Sequence, residues 1–216
     1  LQRDKPLPIW GNAAVGERVS VTFAGHTVGA TADKEGRWIV YLPAVAASSV
    51  PAELVAVGEN TIRLTDILVG DVWLCTGQSN MEWPVSKSMN AEEEIAAANL
   101  PLIRQLKVKR TVAPAPAETV ETAGGWQPCS PQTAGEFTAV GLFFARDLQP
   151  RIGVPIGLLN STYGGTPIEA WMSAPALASD PAFAVVSERW AKATASFPED
   201  QARYEAATAE WNAADA

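Results

Sequence analysis

The hydrophobic rhythm of the chain changes near Leu68. Before that point apolar and polar positions alternate. In ERVSVTF, Val19, Val21 and Phe23 fall on one side of a period-2 repeat, the pattern of a half-buried strand. AGHTVGATAD continues as a second strand after a Gly-His turn. DKEG then turns into RWIVYLP, where Trp38, Val40 and Leu42 share a face, and GENTIRLTDI adds a further strand. Strands at roughly eight- to twelve-residue spacing, separated by Gly and Asp turns, predict a small antiparallel β-sandwich. This first domain is expected over residues 1–67.

From Leu68 the apolar runs lengthen. ILVGDVWLC is apolar nearly throughout, as expected of a strand buried on both faces of a parallel sheet. Asn90-x-x-Glu93 has the form of a capping box, followed by a helix that stops before Pro101. LIRQLKVKR predicts a strand and TVAPAPAETVETAGG a Pro- and Gly-rich loop. TAVGLFFARDLQPRIG predicts a helix with Val140, Phe143, Phe144 and Leu148 on one face. VPIGLLN predicts a buried strand and STYGGTP the turn after it. This alternation of strands and helices implies a doubly wound α/β layer over residues 68–216. It places Ser79 and the STYGGTP turn after the C-terminal ends of strands, where open parallel sheets bind ligands. From Asp180 onward two Ala-rich helical stretches carry Trp190, Tyr204 and Trp211. They form a helical insertion or periphery over residues 176–216.

Composition narrows the function classes. Almost half of the 216 residues are apolar, with eight Trp, so the chain can build a real core. A formal net charge of −8 argues against a nucleic-acid partner, which requires clustered Lys and Arg. No apolar run reaches the roughly eighteen residues of a membrane span. The chain starts at Leu1 rather than Met, so its start is read as cut and a missing leader leaves the compartment open. Two cysteines, Cys75 and Cys129, are too few for a disulfide framework or a usual zinc site, and no metal or cofactor is expected. Cys75, within an apolar strand, reads as a packed thiol with no nearby His or Lys to activate it.

The chemistry concentrates in CTGQSNMEW, residues 75–83. Ser79 has two explanations. Ser79-x-x-Glu82 fits a capping box, in which the hydroxyl only holds a backbone N–H, although Pro84 would break the helix that box begins. A serine in a first helical turn also lies beside exposed N–H groups that could hold an oxyanion. The nucleophile elbow G-x-S-x-G of α/β-hydrolases is absent, because GQSNM lacks the second glycine.

VGDVWLCTGQSNMEW resembles the nucleophile block of the sialate O-acetylesterase family, within the SGNH-hydrolase superfamily. NSTYGGTPIEAWMS resembles that family's second block, and LQRDKPLPIWGNAAVGERVSVTFAG its preceding small β domain. The resemblance implies a flavodoxin-like three-layer α/β SGNH-hydrolase domain, incomplete over these residues, behind a jelly-roll-like β-sandwich. It implies a serine esterase acting on acetylated carbohydrate, periplasmic or extracellular. Ser79 would attack the ester and carry the acetyl group, with the oxyanion held by the N–H of Ser79 and one from the Gly164-Gly165 turn, Gly165 foremost. Gln78 and Asn80 would orient the pocket or simply satisfy local backbone groups. Glu169 and Trp171 match the second block, yet a helix-start acid and a packing aromatic explain them equally.

An activated serine needs a base within reach. The only histidine, His26, lies in a turn of the β domain. The resembled family draws an Asp-x-x-His pair from a late block that is not found here, and its Gln-Gly-Glu block is also absent. The expectation is therefore an acetylesterase whose His and Asp arrive from a missing C-terminal part or a second chain, with these residues alone inactive. Exposed apolar strand edges, or a partner covering them, are expected to follow. Two further readings stand beside it: a carbohydrate-binding or structural module on a degenerate scaffold, and a thiol enzyme using Cys75.

Overall fold

A computed structural model describes residues 1–113, 116–117 and 119–214. The chain divides into two compact units, Leu1–Gly165 and Thr166–Ala216. In the first unit, β1 (Leu7–Asn12), β2 (Arg18–Phe23), β3 (His26–Thr31), β4 (Arg37–Leu42), β5 (Ser48–Val57) and β6 (Thr61–Val69) come first. β1 and β4 pair antiparallel, and a four-stranded antiparallel sheet has the order β3-β2-β5-β6. The alternation of β2 is realised: Val19, Val21 and Phe23 point into a core shared with Leu7, Val40 and Leu42. Burying a side chain such as Phe23 contributes roughly 1.5–3 kcal/mol. β1 and β5 are strands that the pattern did not single out. Pro8 and Pro51 lie in them, and β5 carries register shifts between Ser48 and Leu54 that interrupt its alternation.

The run ILVGDVWLC is not one strand. It breaks at Gly70, so that Ile67–Val69 finish β6 and β7 (Asp71–Gly77) opens a different sheet. Gly70 is required at the break because a Cβ there would lie 2.0 Å from the Pro155 carbonyl oxygen. The rest of this unit is α1 (Ser79–Glu82), α2 (Ala91–Ala96), β8 (Leu100–Val108), β9 (Thr122–Cys129), α3 (Ala139–Ile152) and β10 (Ile156–Thr162). The sheet order is β7-β10-β8-β9, with β10 parallel to both β7 and β8. β9 runs antiparallel to β8.

β9 begins inside the Pro- and Gly-rich stretch that predicts a loop, overlapping it at residues 122–125. Gly124 and Gly125 have positive φ beside a register irregularity of the β8–β9 pair, so they mark a bulge within a strand. At Pro114, Ala115 and Glu118 the loop prediction lies outside the described residues.

β7 also departs from expectation. Val72, Trp73 and Leu74 are 37%, 43% and 61% exposed, because β7 is the outermost strand and has a neighbour on one side only. The capping box at Asn90 does not form. Asn90 adopts a left-handed conformation, and its side chain caps nothing.

The helix α3 lies where predicted, and of its expected face Phe143 and Leu148 pack against the core. Ala139, Leu142 and Ala145 are buried, whereas Val140 and Phe144 are about half exposed. At Gly141 the sheet approaches closely: a Cβ there would sit 3.0 Å from Cys75 Sγ and 3.4 Å from Leu158 Cδ1. Thr138 caps α3 by accepting from Gly141 N–H, and Gly153 closes it in the left-handed region.

The second unit holds a 3₁₀ turn (Ile168–Trp171), α4 (Ala174–Ala178), a second 3₁₀ turn (Pro181–Phe183) and α5 (Ala184–Ala214). The two expected Ala-rich helices are one helix of 31 residues that carries Pro198 within it. Trp190, Tyr204 and Trp211 are exposed along it. The last two residues, Asp215 and Ala216, lie outside the described residues. Among the described residues no helix is long and apolar enough to cross a membrane.

Candidate active site

β7 and β10 run parallel in register, with Thr162 opposite Gly77, so the segments after both strands emerge side by side. Tyr163 N–H donates to the Gly77 carbonyl at 3.0 Å and carries the pairing one residue past the strand. Gly77 has φ +125, a conformation that L side chains rarely adopt and that turns the chain sharply into α1.

Ser79 is the first residue of α1 and is exposed. Its N–H therefore has no acceptor within the helix. Its hydroxyl donates to Gln78 Oε1 at 3.0 Å. The capping-box reading of Ser79 and Glu82 is not realised, since α1 has no side-chain cap. Asn80 follows as the second residue of the helix, also exposed.

Across from α1 stands the Gly164-Gly165 turn. A Cβ on Gly164 would lie 3.6 Å from Ser79 Cα and 3.7 Å from Ser79 Cβ, so the two chains meet closely at this point. Gly164 N–H donates to Glu82 Oε2 at 2.8 Å. That amide is therefore engaged by a carboxylate, whereas an oxyanion donor needs an open N–H. Gly165 has φ +82, and no acceptor among the described residues takes its N–H. One amide of the turn is held and the next is open.

Behind this surface lies a buried polar chain that the pattern of the sequence did not reveal. Gln105 Oε1 accepts from Thr138 N–H at 2.9 Å and from Asn160 Nδ2 at 3.2 Å. Thr162 Oγ1 donates to Asn160 Oδ1 at 2.8 Å. Thr138 Oγ1 donates to the Met81 carbonyl at 2.6 Å, so this chain reaches the helix that begins at Ser79. The available signal was the phase of β10: Ile156 and Leu158 face inward, and Asn160 and Thr162 continue that inward row. A polar residue at an inward position demands a partner.

The remaining sequence candidates sit elsewhere. Cys75 is buried and its thiol is pushed up by that burial, against a role as a nucleophile. Cys129, also buried, is pushed up to about 11 by desolvation. His26 begins β3 in the antiparallel sheet and is exposed. Glu169 pairs with Arg189 at 2.7 Å, and Trp171 Nε1 donates to Thr166 Oγ1 at 2.9 Å, all within the second unit. Among the described residues no group of three or more His, Cys, Asp or Glu side chains is gathered in a way that could hold a metal.

The family profile of carbohydrate esterases described as sialic acid-specific acetylesterase matches residues 69–203, more than half of the chain. The chain belongs to this esterase family. Its matched span contains Ser79 and the Gly164-Gly165 turn. A sialate O-acetylesterase of Rattus norvegicus is 34% identical over 189 residues, covering 78% of this chain and 34% of that protein. The sialate O-acetylesterase of Homo sapiens is 38% identical over 124 residues, covering 54% of this chain and 24% of its own length. The chain thus spans about a third or less of the curated relatives it matches. A crystal structure described as a carbohydrate acetylesterase from Xanthomonas citri superposes with a TM-score of 0.79 at 44% identity. It covers 83% of this chain and 41% of its own. As a family member with several sheets and mixed α/β structure, the protein is similar in fold to a solved carbohydrate esterase.

Proposed function

We propose that these residues form the nucleophile-bearing part of a serine esterase that removes O-acetyl groups from sugars. The observation that carries this reading is the exposed Ser79 against the Gly164-Gly165 turn, with the Ser79 and Gly165 amides taken by no acceptor among the described residues. Ser79 Oγ attacks the acetyl carbonyl carbon while a base removes its proton. The tetrahedral oxyanion forms between Ser79 N–H and Gly165 N–H, where fixed donors stabilise charge that exists only in the transition state. Collapse breaks the bond to the sugar oxygen, which leaves with a proton, and acetyl-Ser79 remains. Water attacks this ester, releasing acetate and restoring the hydroxyl. Gln78, which accepts from Ser79 Oγ, orients the hydroxyl before reaction.

The base comes from outside these residues in this reading, because the single histidine, His26, stands on β3 in another sheet. The 216 residues by themselves are then inactive. The exposed Val72, Trp73 and Leu74 of β7 and the strand's open side support a further part of the catalytic domain docking there. We extend the proposal to the full architecture: a jelly-roll-like sandwich over 1–67, then a flavodoxin-like three-layer domain from 68 with a helical insertion over 176–216. The family resemblance alone supports a periplasmic or extracellular site of action, which cell fractionation tests.

The deciding experiment is Ser79→Ala in the full-length protein, followed by acetate release from p-nitrophenyl acetate and from acetylated sugars. Turnover is expected to vanish with an unchanged circular-dichroism spectrum. Retained turnover overturns the assignment.

A further inference from the structure

The Ser79 site contains a carboxylate that the esterase chemistry itself does not use. Glu82 is the last residue of α1, with its side chain only 16% exposed. Its Oε2 accepts from Gly164 N–H at 2.8 Å, and its Oε1 meets Arg110, 2.7 Å from Nε and 2.5 Å from the nearer terminal nitrogen. Arg110 reaches in from just beyond β8, and its guanidinium lies 5.3 Å from the centroid of the Tyr163 ring. Three segments therefore converge on one carboxylate: the nucleophile helix, the end of β8 and the turn after β10.

Two physical needs explain the arrangement. Two adjacent glycines make the least restrained backbone a chain can offer, and an oxyanion donor works only if it is fixed before the charge appears. The hydrogen bond to Glu82 pins the peptide that precedes Gly164, and the aim of the following Gly165 N–H depends on that peptide. A lone carboxylate so close would also repel a developing oxyanion, since Glu82 holds Gly164 N–H and a Cβ on that glycine would come within 3.7 Å of Ser79. Arg110 offsets that charge while leaving the second oxygen free to hold Gly164.

We infer that Glu82 is a positioning residue for catalysis, clamped and neutralised by Arg110, which sets the Gly164-Gly165 turn so that Gly165 N–H faces the reacting carbonyl; this rests on the esterase reading of Ser79. Neither residue touches the acetyl group. Both act through the backbone of the turn.

The test uses the full-length enzyme and p-nitrophenyl acetate. Active sites are counted by the saturating stoichiometry of a fluorophosphonate that labels Ser79, with Ser79→Ala as the unlabelled control. Glu82→Leu removes the acceptor and is expected to lower kcat per titrated site by about 10- to 100-fold, the cost of a misplaced catalytic group. KM is expected to stay within about twofold, because the affected contact strengthens only in the transition state. Glu82→Gln keeps an oxygen for Gly164 N–H and is expected to fall between Leu and the parent. Arg110→Met, at a side chain 58% exposed, tests the clamp without disturbing a core. It is expected to lower kcat, and the loss is expected to shrink in high salt as the bared carboxylate is screened.

Parental kcat per titrated site in both Glu82→Leu and Arg110→Met overturns the inference while leaving the esterase reading intact. A loss confined to the number of titrated sites or to melting temperature also overturns it, since that is the signature of a purely structural role. Turnover by Ser79→Ala overturns both readings together.

Discussion

Thr138 is the residue on which α1, α3 and the sheet converge, and Thr138→Val isolates its hydroxyl. The side chain is fully buried, so water cannot replace what is lost. Valine matches the shape but neither donates to the Met81 carbonyl, now bonded at 2.6 Å, nor accepts from Gly141 N–H at 3.3 Å. Leaving the Met81 carbonyl without its donor costs about 1–3 kcal/mol. Losing the cap of α3 adds about 0.5–1 kcal/mol, the lower part of the usual range because the Gly141 bond is long. The expected loss is therefore about 1.5–4 kcal/mol. Thr138→Ser keeps both bonds and removes one methyl, at about 1 kcal/mol. Equilibrium urea unfolding of the three proteins, compared at equal m-value, reads the difference directly. A loss below about 0.5 kcal/mol for the valine variant, the scale of an unremarkable surface change, refutes the reasoning. So does a serine variant as unstable as the valine one, because the methyl rather than the hydroxyl would then matter.

Two further outcomes follow from the packing. Gly70→Ala places a Cβ 2.0 Å from the Pro155 carbonyl oxygen, a backbone atom that cannot swing aside, and is expected to cost about 3 kcal/mol or more; a melting temperature within a degree of the parent would contradict this. Cys129, with its thiol pushed up to about 11, keeps its proton in the folded state while the unfolded chain releases it from about pH 8.5. Stability is thus expected to fall as pH rises between those values, and Cys129→Ala is expected to flatten that slope in pH-dependent unfolding. An unchanged slope in the variant argues against the buried thiol as its source.

Much of the β region was legible because alternation is a local property of the extended backbone. Val19, Val21 and Phe23 needed only their spacing to be placed inside. The helix at Ala139–Ile152 was legible in extent and partly in orientation. Hydrophobicity groups Val140 and Phe144 with Phe143 and Leu148, whereas the close approach of Cys75 and Leu158 at Gly141 brings Ala139, Leu142 and Ala145 inward. β9 was hidden because Gly124 and Gly125 signal a break in the chain, and only pairing with β8 turns that break into a bulge. Glu82 was read within its own helix, as the partner of Ser79. Its true partners, Arg110 and Gly164, are 28 and 82 residues away.

The sequence by itself determined the alternation of strands such as β2, the family blocks around Ser79 and Gly164-Gly165, and the absence of any histidine other than His26. These are properties of neighbouring residues or of composition, and they need no knowledge of what packs against what. Tertiary structure alone decided that Gly164 N–H is held by Glu82 and that no acceptor among the described residues takes Gly165 N–H. It alone decided that Asn160 is satisfied by Gln105 and that β7 lies at the edge of its sheet. Each of these depends on which distant groups reach one another first, and a hydrogen bond to one acceptor removes that donor from every other use.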